Sequence, residues 1–425
     1  MKEGIFMGGG ARTAIADGRI SATEYIECCL ERISERESDV GAWAHLNPDY
    51  ALEQAKICDA SLKGGQLQGL LHGIPIGIKD IIDTRDYPTE CGTQLLEGRN
   101  KTADAEVVRL LRSEGAIILG KTVTCELAFY GPGKTRNPRN LNRTPGGSSS
   151  GSAAAVADFH VPLALGTQTA GSIIRPASYC GVIGFKPTFG KISLAGVLYQ
   201  SPPLDTLGCF ARSIEDVRLI LSVLFGKIIN TNHAKKSAFR LAFLKTESWL
   251  SGDIEMHKAF EILLKNKSSL IEEKTISFCA PKIMDLQKQI QFRDIAIHYG
   301  PIVQEDEENI SFKLREVIAE GRTVTLSQYQ AARSHREPLY EALKPIFNDY
   351  DAILTPAAPG VAPMGLSSTG PPTFNFLWTY LGCPTISLPL LEIDGLPLGL
   401  QLVGARNEDE KLLETAENVM SQLSS

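Results

Sequence analysis

Two serines and one lysine are the residues of this sequence best suited to chemistry. Ser148 lies in a run of glycine and serine residues, and Ser172 lies in a second glycine-containing segment that follows an apolar stretch. Lys79 closes a short apolar segment that begins at Ile74. A serine in a tight turn after a strand presents its Oγ atom to a carbonyl group, and neighbouring backbone N–H groups face the developing oxyanion. These residue types therefore indicate nucleophilic acyl transfer.

The base that takes the serine proton is either a histidine or a lysine. The seven histidines all lie outside the glycine-rich segments, so a Ser-His-Asp triad has no obvious histidine, although folding brings distant residues together. Lys79 has apolar neighbours along the chain, and a buried lysine has a lowered pKa that makes its neutral form accessible. A lone lysine after a strand is more often exposed or ion-paired, so this pattern alone leaves both bases open.

Two of the glycine-containing segments also admit other interpretations. Residues 145–152 have the composition of a flexible linker, but the apolar residues 153–156 follow at once, which favours buried structure. Residues 115–122 satisfy the phosphate-binding loop pattern, yet the four residues between the glycines are Ala-Ile-Ile-Leu, which is typical of a buried strand. We therefore expect a functional segment over 145–152 and a strand without a nucleotide site over 115–122.

The elements that must position these residues follow an α/β pattern. Amphipathic helices are predicted over 11–37, with Ser21 as an N-cap and Glu24 completing a capping box. Short apolar strands and helices alternate further along the chain, which favours an α/β domain. Residues 227–347 are mostly charged with a helical pattern, which predicts a helical cover and spacer. Three strands and a final amphipathic helix are predicted after residue 348.

Composition limits the classes of partner. The chain has 425 residues, 43% of them hydrophobic, and a net charge of −6, so it offers no basic surface for nucleic acid or an anionic membrane. Nine cysteines without regular spacing form neither a disulfide framework nor a metal motif. Apolar runs stay well short of the ~20 residues of a membrane helix. We expect a cytoplasmic protein with a small-molecule partner, without nucleic acid, membrane, metal or cofactor.

Three segments in order resemble the amidase signature family. Gly77-Ile78-Lys79-Asp80, the glycine-serine run over 146–151, and Gly171-Ser172 with Arg175-Pro176 are similar to the lysine, cis-serine and nucleophile motifs of that family, at the family's spacing. The resemblance runs from about residue 11 to the C-terminus and is weakest over 227–347. It implies one α/β amidase domain over 1–425, in which a mixed β-sheet core is covered by helices on both faces.

Within that domain the resemblance implies three parts and a set of site residues. The signature core covers about 70–225, the spacer about 227–347, and the C-terminal strands and helix 348–425. Ser172 would be the nucleophile. Lys79 would be the base, with a neutral amine at the start of the reaction. Ser148, in a cis peptide, would pass the proton between Ser172 and Lys79. The oxyanion hole would consist of the backbone N–H groups of four consecutive residues: Thr169, Ala170, Gly171 and Ser172.

Arg175 distinguishes the sequence from the commonest family pattern. It lies three positions after the nucleophile instead of two, and Gln168 replaces a frequent aspartate. Both features resemble the malonamidase branch, whose matching arginine holds a substrate carboxylate. The resemblance thus implies hydrolysis of a small carboxylate-bearing, malonamate-like amide to the acid and ammonia through an acyl-enzyme on Ser172. Two alternatives remain open: Arg175 as a brace of the loop, and a role of the chain as the catalytic subunit of a glutamyl-tRNA amidotransferase. The oligomeric state is also open, with a homodimer as one option.

Overall fold

A computed structural model describes residues 8–229, 239–275, 283–303 and 309–423 of the chain. The strands are β1 (Trp43–Leu46), β2 (Pro75–Lys79), β3 (Ile117–Thr122), β4 (Leu163–Gln168), β5 (Ile183–Lys186), β6 (Thr206–Ala211), β7 (Leu241–Leu244), β8 (Ile271–Lys274), β9 (Ala352–Pro356), β10 (Thr385–Ile393) and β11 (Leu396–Val403). The helices are α1 (Gly8–Ala16), α2 (Ala22–Val40), α3 (Pro48–Lys63), α4 (Glu106–Ser113), α5 (Ser150–Ala157), α6 (Ile174–Cys180), α7 (Ile214–Leu224), α8 (Ile254–Asn266), α9 (Ile283–His298), α10 (Gly300–Val303), α11 (Phe312–Thr323), α12 (Leu326–Ser334), α13 (Arg336–Asp349), α14 (Phe376–Tyr380) and α15 (Asp409–Leu423).

One mixed sheet organises the described residues. Its eleven strands run in the order β1-β3-β2-β4-β6-β5-β10-β11-β9-β7-β8. The pairs β2–β3, β2–β4, β7–β8 and β7–β9 are parallel, and the remaining neighbours are antiparallel. Helices flank the sheet, so its central strands are buried on both faces and consist largely of apolar residues. The prediction of a single α/β domain with a mixed sheet covered by helices is confirmed.

The parallel strands β2, β3 and β4 explain how distant segments meet. β2 lies between β3 and β4 and runs in the same direction as both of them. The carboxyl ends of parallel strands share one edge of a sheet, which is where α/β proteins place their sites. Lys79 is the last residue of β2 and Gln168 the last residue of β4. The sheet therefore delivers the lysine motif and the Ser172 segment to the same place.

Local sequence signals account for several element boundaries. The Ser21 side chain accepts a hydrogen bond from the backbone N–H of Glu24, and the Glu24 side chain accepts from the backbone N–H of Ser21, so the predicted capping box of α2 is confirmed. Gly41 ends α2 in the left-handed conformation, with φ of 61°. The predicted final helix is also confirmed, since α15 covers Asp409–Leu423.

The segment over 227–347 contains more than helices. Helices α8 to α12 lie within it and α13 runs across its end, but β7 and β8 also lie within it and extend the sheet beside β9. The helical interpretation omitted these strands because each has four residues, and Ile-Glu-Glu-Lys in β8 carries only one apolar side chain. The register of β7 against β9 supplies the stabilisation that the local sequence lacks.

Candidate active site

Lys79 and Ser148 meet at the carboxyl edge of β2. The Nζ atom of Lys79 donates hydrogen bonds to Oγ of Ser148 at 2.7 Å and to Oγ1 of Thr167 at 2.9 Å. The Lys79 side chain is fully buried, and burial lowers its pKa from 10.5 to about 7, against smaller opposing effects of Cys125, Asp205 and Cys91. Lys79 forms no ion pair with any carboxylate of the described residues. A neutral amine is therefore accessible near pH 7.

The glycine-serine run is buried and hydrogen-bonded, which excludes a linker. The Gly147–Ser148 peptide is cis. Oγ of Ser149 donates to the carbonyl oxygen of Thr167 at 3.2 Å, and Oγ of Ser152 donates to the carbonyl oxygen of Leu165 at 2.8 Å. Both contacts tie the run to β4. The run is buried, as the apolar residues that follow it predicted, and its hydrogen bonds to β4 hold Ser148 beside the end of β2.

Residues 169–172, here called the Ser172 loop, connect β4 to α6. Ser172 is partly exposed at the turn, whereas its neighbours Gly171 and Ile173 are buried. A Cβ atom at Gly171 would lie 2.4 Å from Oδ1 of Asn375 and 2.9 Å from Cβ of Pro372, so a side chain there would displace these neighbours. The Oε1 atom of Gln168 accepts the backbone N–H of Ile173 at 2.8 Å. A side chain at the end of β4 therefore fixes the turn that presents Ser172.

The carbonyl groups of the Ser172 loop are held by donors from elsewhere in the chain. Nε2 of Gln287 donates to the carbonyl oxygen of Thr169, and Oγ1 of Thr379 donates to that of Ala170, each at 2.7 Å. The backbone N–H of Arg175 donates to the carbonyl oxygen of Gly171 at 3.0 Å. Within the described residues, the four N–H groups of the loop donate to no protein acceptor. They are the groups that the sequence predicts for an oxyanion hole.

Asp205 connects the Ser172 loop by hydrogen bonds to the segment that precedes β6. Its Oδ1 atom accepts the Thr169 hydroxyl at 2.6 Å, and its Oδ2 atom accepts the backbone N–H groups of Gln200 and Ser201 at 2.8 and 2.9 Å. Burial raises the pKa of Asp205 to about 7, although these three hydrogen bonds act in the opposite direction. The carboxylate is thus a buried structural group behind the loop.

Arg175 is buried directly behind the glycine-serine run. Its Nη2 atom donates to the carbonyl oxygen of Gly147 at 2.6 Å and to Oγ1 of Thr369 at 3.2 Å. The side chain is 4% exposed, and its Nε atom has no hydrogen-bond partner among the described residues. Burial lowers the pKa of the guanidinium. A buried cation without a carboxylate partner is well suited to an anionic ligand, and the same group braces the run that holds Ser148.

The strand predicted within residues 115–122 is confirmed. β3 occupies most of it, and Nζ of Lys121 forms a 3.1 Å ion pair with Oδ1 of Asp80 in the buried interior. The same amine donates to Oγ1 of Thr89 at 2.6 Å. A lysine engaged in this way inside the sheet does not point into a phosphate-binding loop. The lysine of the literal pattern is therefore occupied by contacts inside the sheet.

The described residues contain neither a metal cluster nor a membrane helix. No group of three or more histidine, cysteine, aspartate or glutamate side chains in the described ranges is arranged to hold a metal ion. No helix in the part of the chain that the structure describes is long and apolar enough to cross a lipid bilayer.

Sequence similarity decides the family. Residues 24–413, more than nine-tenths of the chain, match the amidase family model. The chain belongs to the amidase signature family. It is a serine amidohydrolase of this family, and the resemblance stated from its three motifs is confirmed at the level of the family.

Individual relatives of this amidase agree with that assignment. It is 33% identical to a glutamyl-tRNA(Gln) amidotransferase subunit of Clostridium botulinum (strain Alaska E43 / Type E3), over 95% of this chain and 94% of that protein. A crystal structure of an amidase superposes with a TM-score of 0.91 at 31% identity, covering 98% of this chain and all of the other. The peptide amidase of Stenotrophomonas maltophilia gives a TM-score of 0.82 at 25% identity, covering 99% and 97% of the two chains. The malonamidase branch in particular stays a prediction.

Thr167 and Gln287 lie beside the site but were not among the residues predicted from the sequence. Thr167, which contacts Lys79, lies in β4 beside β2, and the pairing of these strands was the signal that would have revealed it. Gln287 lies far along the chain in α9, and its helical context gave no local sign of a contact with the Ser172 loop.

Proposed function

We propose that this amidase hydrolyses a small carboxylate-bearing amide, of malonamate type, to the acid and ammonia through an acyl-enzyme on Ser172. The observation that carries the proposal is the 2.7 Å contact between Lys79 and Ser148, in which a buried amine with a pKa of about 7 adjoins a serine hydroxyl. A histidine is not required, because this amine is already a suitable base at neutral pH.

The contact between Lys79 and Ser148 supports a proton path that begins at Ser172. When Lys79 is neutral, its Nζ atom accepts the Ser148 proton, and Ser148 accepts the proton that Ser172 loses as its Oγ atom attacks the amide carbon. The charged lysine then returns the proton through Ser148 to the departing nitrogen, and ammonia leaves. Water attacks the ester in the second half-reaction with the same relay as base.

The Ser172 loop supports stabilisation of the oxyanion. Its N–H groups, from Thr169 to Ser172, are not used by acceptors of the described chain, while its carbonyl oxygens are occupied. Preorganised donors of this kind lower the barrier, because they need no reorganisation when charge develops on the carbonyl oxygen. We assign the oxyanion hole to these four residues.

Arg175 supports selection of an acidic substrate. A guanidinium binds a carboxylate with two parallel hydrogen bonds, and Nε of Arg175 is a buried donor that lacks a protein partner among the described residues. Its Nη2 atom contacts the run that carries Ser148, and Arg175 follows Ser172 by three positions, which supports a carboxylate site close to the proposed nucleophile. The absence of a paired carboxylate in the described surroundings favours this role over bracing alone.

A second candidate function is that of an amidotransferase component that passes ammonia to a partner. It is favoured by the 33% identity to the glutamyl-tRNA(Gln) amidotransferase subunit of Clostridium botulinum. The test is whether glutamine turnover by the purified chain depends on partner subunits and charged tRNA. Free turnover of short acidic amides by the isolated chain supports the hydrolase instead.

A screen of matched amides tests the leading proposal. Malonamate, succinamate, glutamine, and neutral amides of the same lengths are incubated with the purified chain, and ammonia is measured. We expect the highest kcat/KM for the short acidic amides and no turnover by Ser172→Ala. Turnover retained in Ser172→Ala, or a consistent preference for the neutral amides, would refute it.

A further inference from the structure

Helix α9 of the helical cover directs a polar stripe towards the active site. Gln287, Gln291 and Asp294 occupy successive turns on one face of this helix, and each is at most 5% exposed. Gln291 donates to Oε1 of Gln200 at 2.7 Å, and Asp294 accepts the hydroxyl of Ser201 at 2.6 Å. The stripe therefore packs against the segment that also holds Asp205.

Gln287 is the member of the stripe that reaches the Ser172 loop. It is fully buried, and its Nε2 atom donates to the carbonyl oxygen of Thr169 at 2.7 Å. The hydroxyl of the same threonine donates to Asp205. Thr169 is thus held at its carbonyl from α9 and at its side chain from the segment that precedes β6.

The planarity of the peptide unit gives this contact a consequence for the oxyanion hole. In a trans peptide the carbonyl oxygen of one residue and the N–H of the next lie in one plane and point in opposite directions. Fixing the Thr169 carbonyl therefore fixes the direction of the Ala170 N–H. In the same way the Thr379 hydroxyl fixes the Gly171 N–H, and the Arg175 N–H fixes that of Ser172.

We propose that Gln287 is a positioning residue for the oxyanion hole, acting through the peptide plane between Thr169 and Ala170. This inference rests on the proposed function of Ser172 and its loop. Among the described residues, Gln287 forms no hydrogen bond with the side chains of Ser172, Ser148 or Lys79, so its proposed role is to orient a backbone donor. An uncharged amide is suited to that role, since it supplies an N–H donor without placing a negative charge near the oxyanion.

Substitutions of nearly equal volume distinguish the hydrogen bond of Gln287 to the Thr169 carbonyl from the contribution of its side chain to packing. Gln287→Met keeps the length of the side chain and loses the donor. Gln287→Glu keeps the shape and, assayed at a pH high enough to ionise the carboxyl group, replaces the donor by a carboxylate. The matched control is Gln291→Met, one turn further along α9, which loses a contact to Gln200 instead. Loss of a direct oxyanion donor costs ~10²–10³ in kcat, so loss of an aiming contact is expected to cost about tenfold or more.

The readout is the affinity for a boronic acid analogue of the substrate, which places a tetrahedral oxygen in the hole. We expect Gln287→Met to lower kcat/KM and boronate affinity by the same factor, with KM and inhibition by the carboxylate product little changed. Gln287→Glu is expected to be worse, and Gln291→Met to stay within about threefold of wild type. Activity is expressed per folded molecule, and Gln287→Glu provides the test if Gln287→Met does not fold.

The outcomes separate this inference from the proposed function. Wild-type boronate affinity and kcat/KM in folded Gln287→Met or Gln287→Glu, together with an inactive Ser172→Ala, overturn the role of Gln287 and leave Ser172 in place. Equal losses in Gln287→Met and Gln291→Met also overturn it, because they indicate general packing of α9. Turnover by Ser172→Ala refutes the proposed function itself.

Discussion

The amine of Lys79 lies 2.7 Å from the hydroxyl of Ser148, whereas the amine of Lys121, on the neighbouring strand, lies 3.1 Å from the carboxylate of Asp80. Both lysines are fully buried. The different partners give them different chemistry, since a carboxylate favours the charged form and a hydroxyl does not compensate for lost hydration. Lys79 is therefore the base of our account, and Lys121 is half of a structural ion pair.

The rate of hydrolysis is expected to increase with pH through the pKa of Lys79. The relay requires the neutral amine, and burial lowers the pKa of Lys79 to about 7. We predict an ascending limb of kcat/KM with an apparent pKa near 7, measured with a neutral amide so that the substrate does not titrate. Asp205 has a similar pKa of about 7, and Thr169→Val changes it because the hydroxyl bonded to Asp205 is lost. An ascending limb with an unchanged apparent pKa in Thr169→Val would therefore assign the titration to Lys79. Rates that stay constant from pH 5 to 9 would contradict the assignment.

The free energy of unfolding is also expected to depend on pH because the pKa of Lys79 is lowered in the folded protein. The folded pKa of about 7 lies below the ordinary value of 10.5, so between these values the unfolded chain binds a proton that the folded chain does not. The unfolding free energy of the wild type therefore increases by about 1.4 kcal/mol for each pH unit by which the pH rises through that window. Below pH 7 the cost of burying the charged lysine is fully present.

The variant Lys79→Met lacks this titration. We predict that the stability of wild type relative to Lys79→Met increases between pH 7 and 10 and is constant between pH 5 and 6. Urea unfolding at several pH values measures the difference, in which contributions of groups common to both proteins cancel. A stability difference that does not depend on pH would show that Lys79 keeps an ordinary pKa in the folded protein.

Arg175→Met is expected to change the substrate preference. Loss of a charge-assisted pair with a carboxylate costs ~1.5–3 kcal/mol, which corresponds to an increase of roughly 10- to 100-fold in KM for acidic amides. Neutral amides of equal length provide the control, because they do not use the guanidinium. Arg175 also donates to Gly147, so some loss of kcat is expected for both classes. Equal losses for both classes, confined to kcat, would leave Arg175 only the bracing role.

Lys121→Met should damage the fold and reveal no nucleotide chemistry. Removing one member of a buried ion pair typically costs ~3–5 kcal/mol, because the other member is left without a partner. We predict a loss of that order in urea unfolding and no heat of ATP binding by calorimetry in the wild type. ATP binding that disappears in Lys121→Met would restore the phosphate-binding interpretation of residues 115–122.

The sequence predicted the elements near the site better than their connections across the fold. Apolar and glycine-rich flanks are local signals that made Lys79 and Ser148 candidates, and the resemblance to the amidase signature family then implied their roles. The contact of Thr167 with Lys79 depends on β2 pairing with β4, and no local pattern specifies strand order. Gln287 reaches the Ser172 loop through the packing of α9, which involves residues more than a hundred positions apart. The short strand β8 was missed because its stability comes from its neighbour β7.

Mapping of the acylated residue tests the central claim most directly. The purified chain is incubated with a slowly deacylating carbamate, digested, and analysed by mass spectrometry, with Ser172→Ala and Lys79→Met in parallel. The account predicts one acyl group on Ser172 in the wild type, none in Ser172→Ala, and strongly slowed labelling in Lys79→Met. Acylation of another residue such as Cys125 at the wild-type rate, with Ser172 unmodified during turnover, would contradict it.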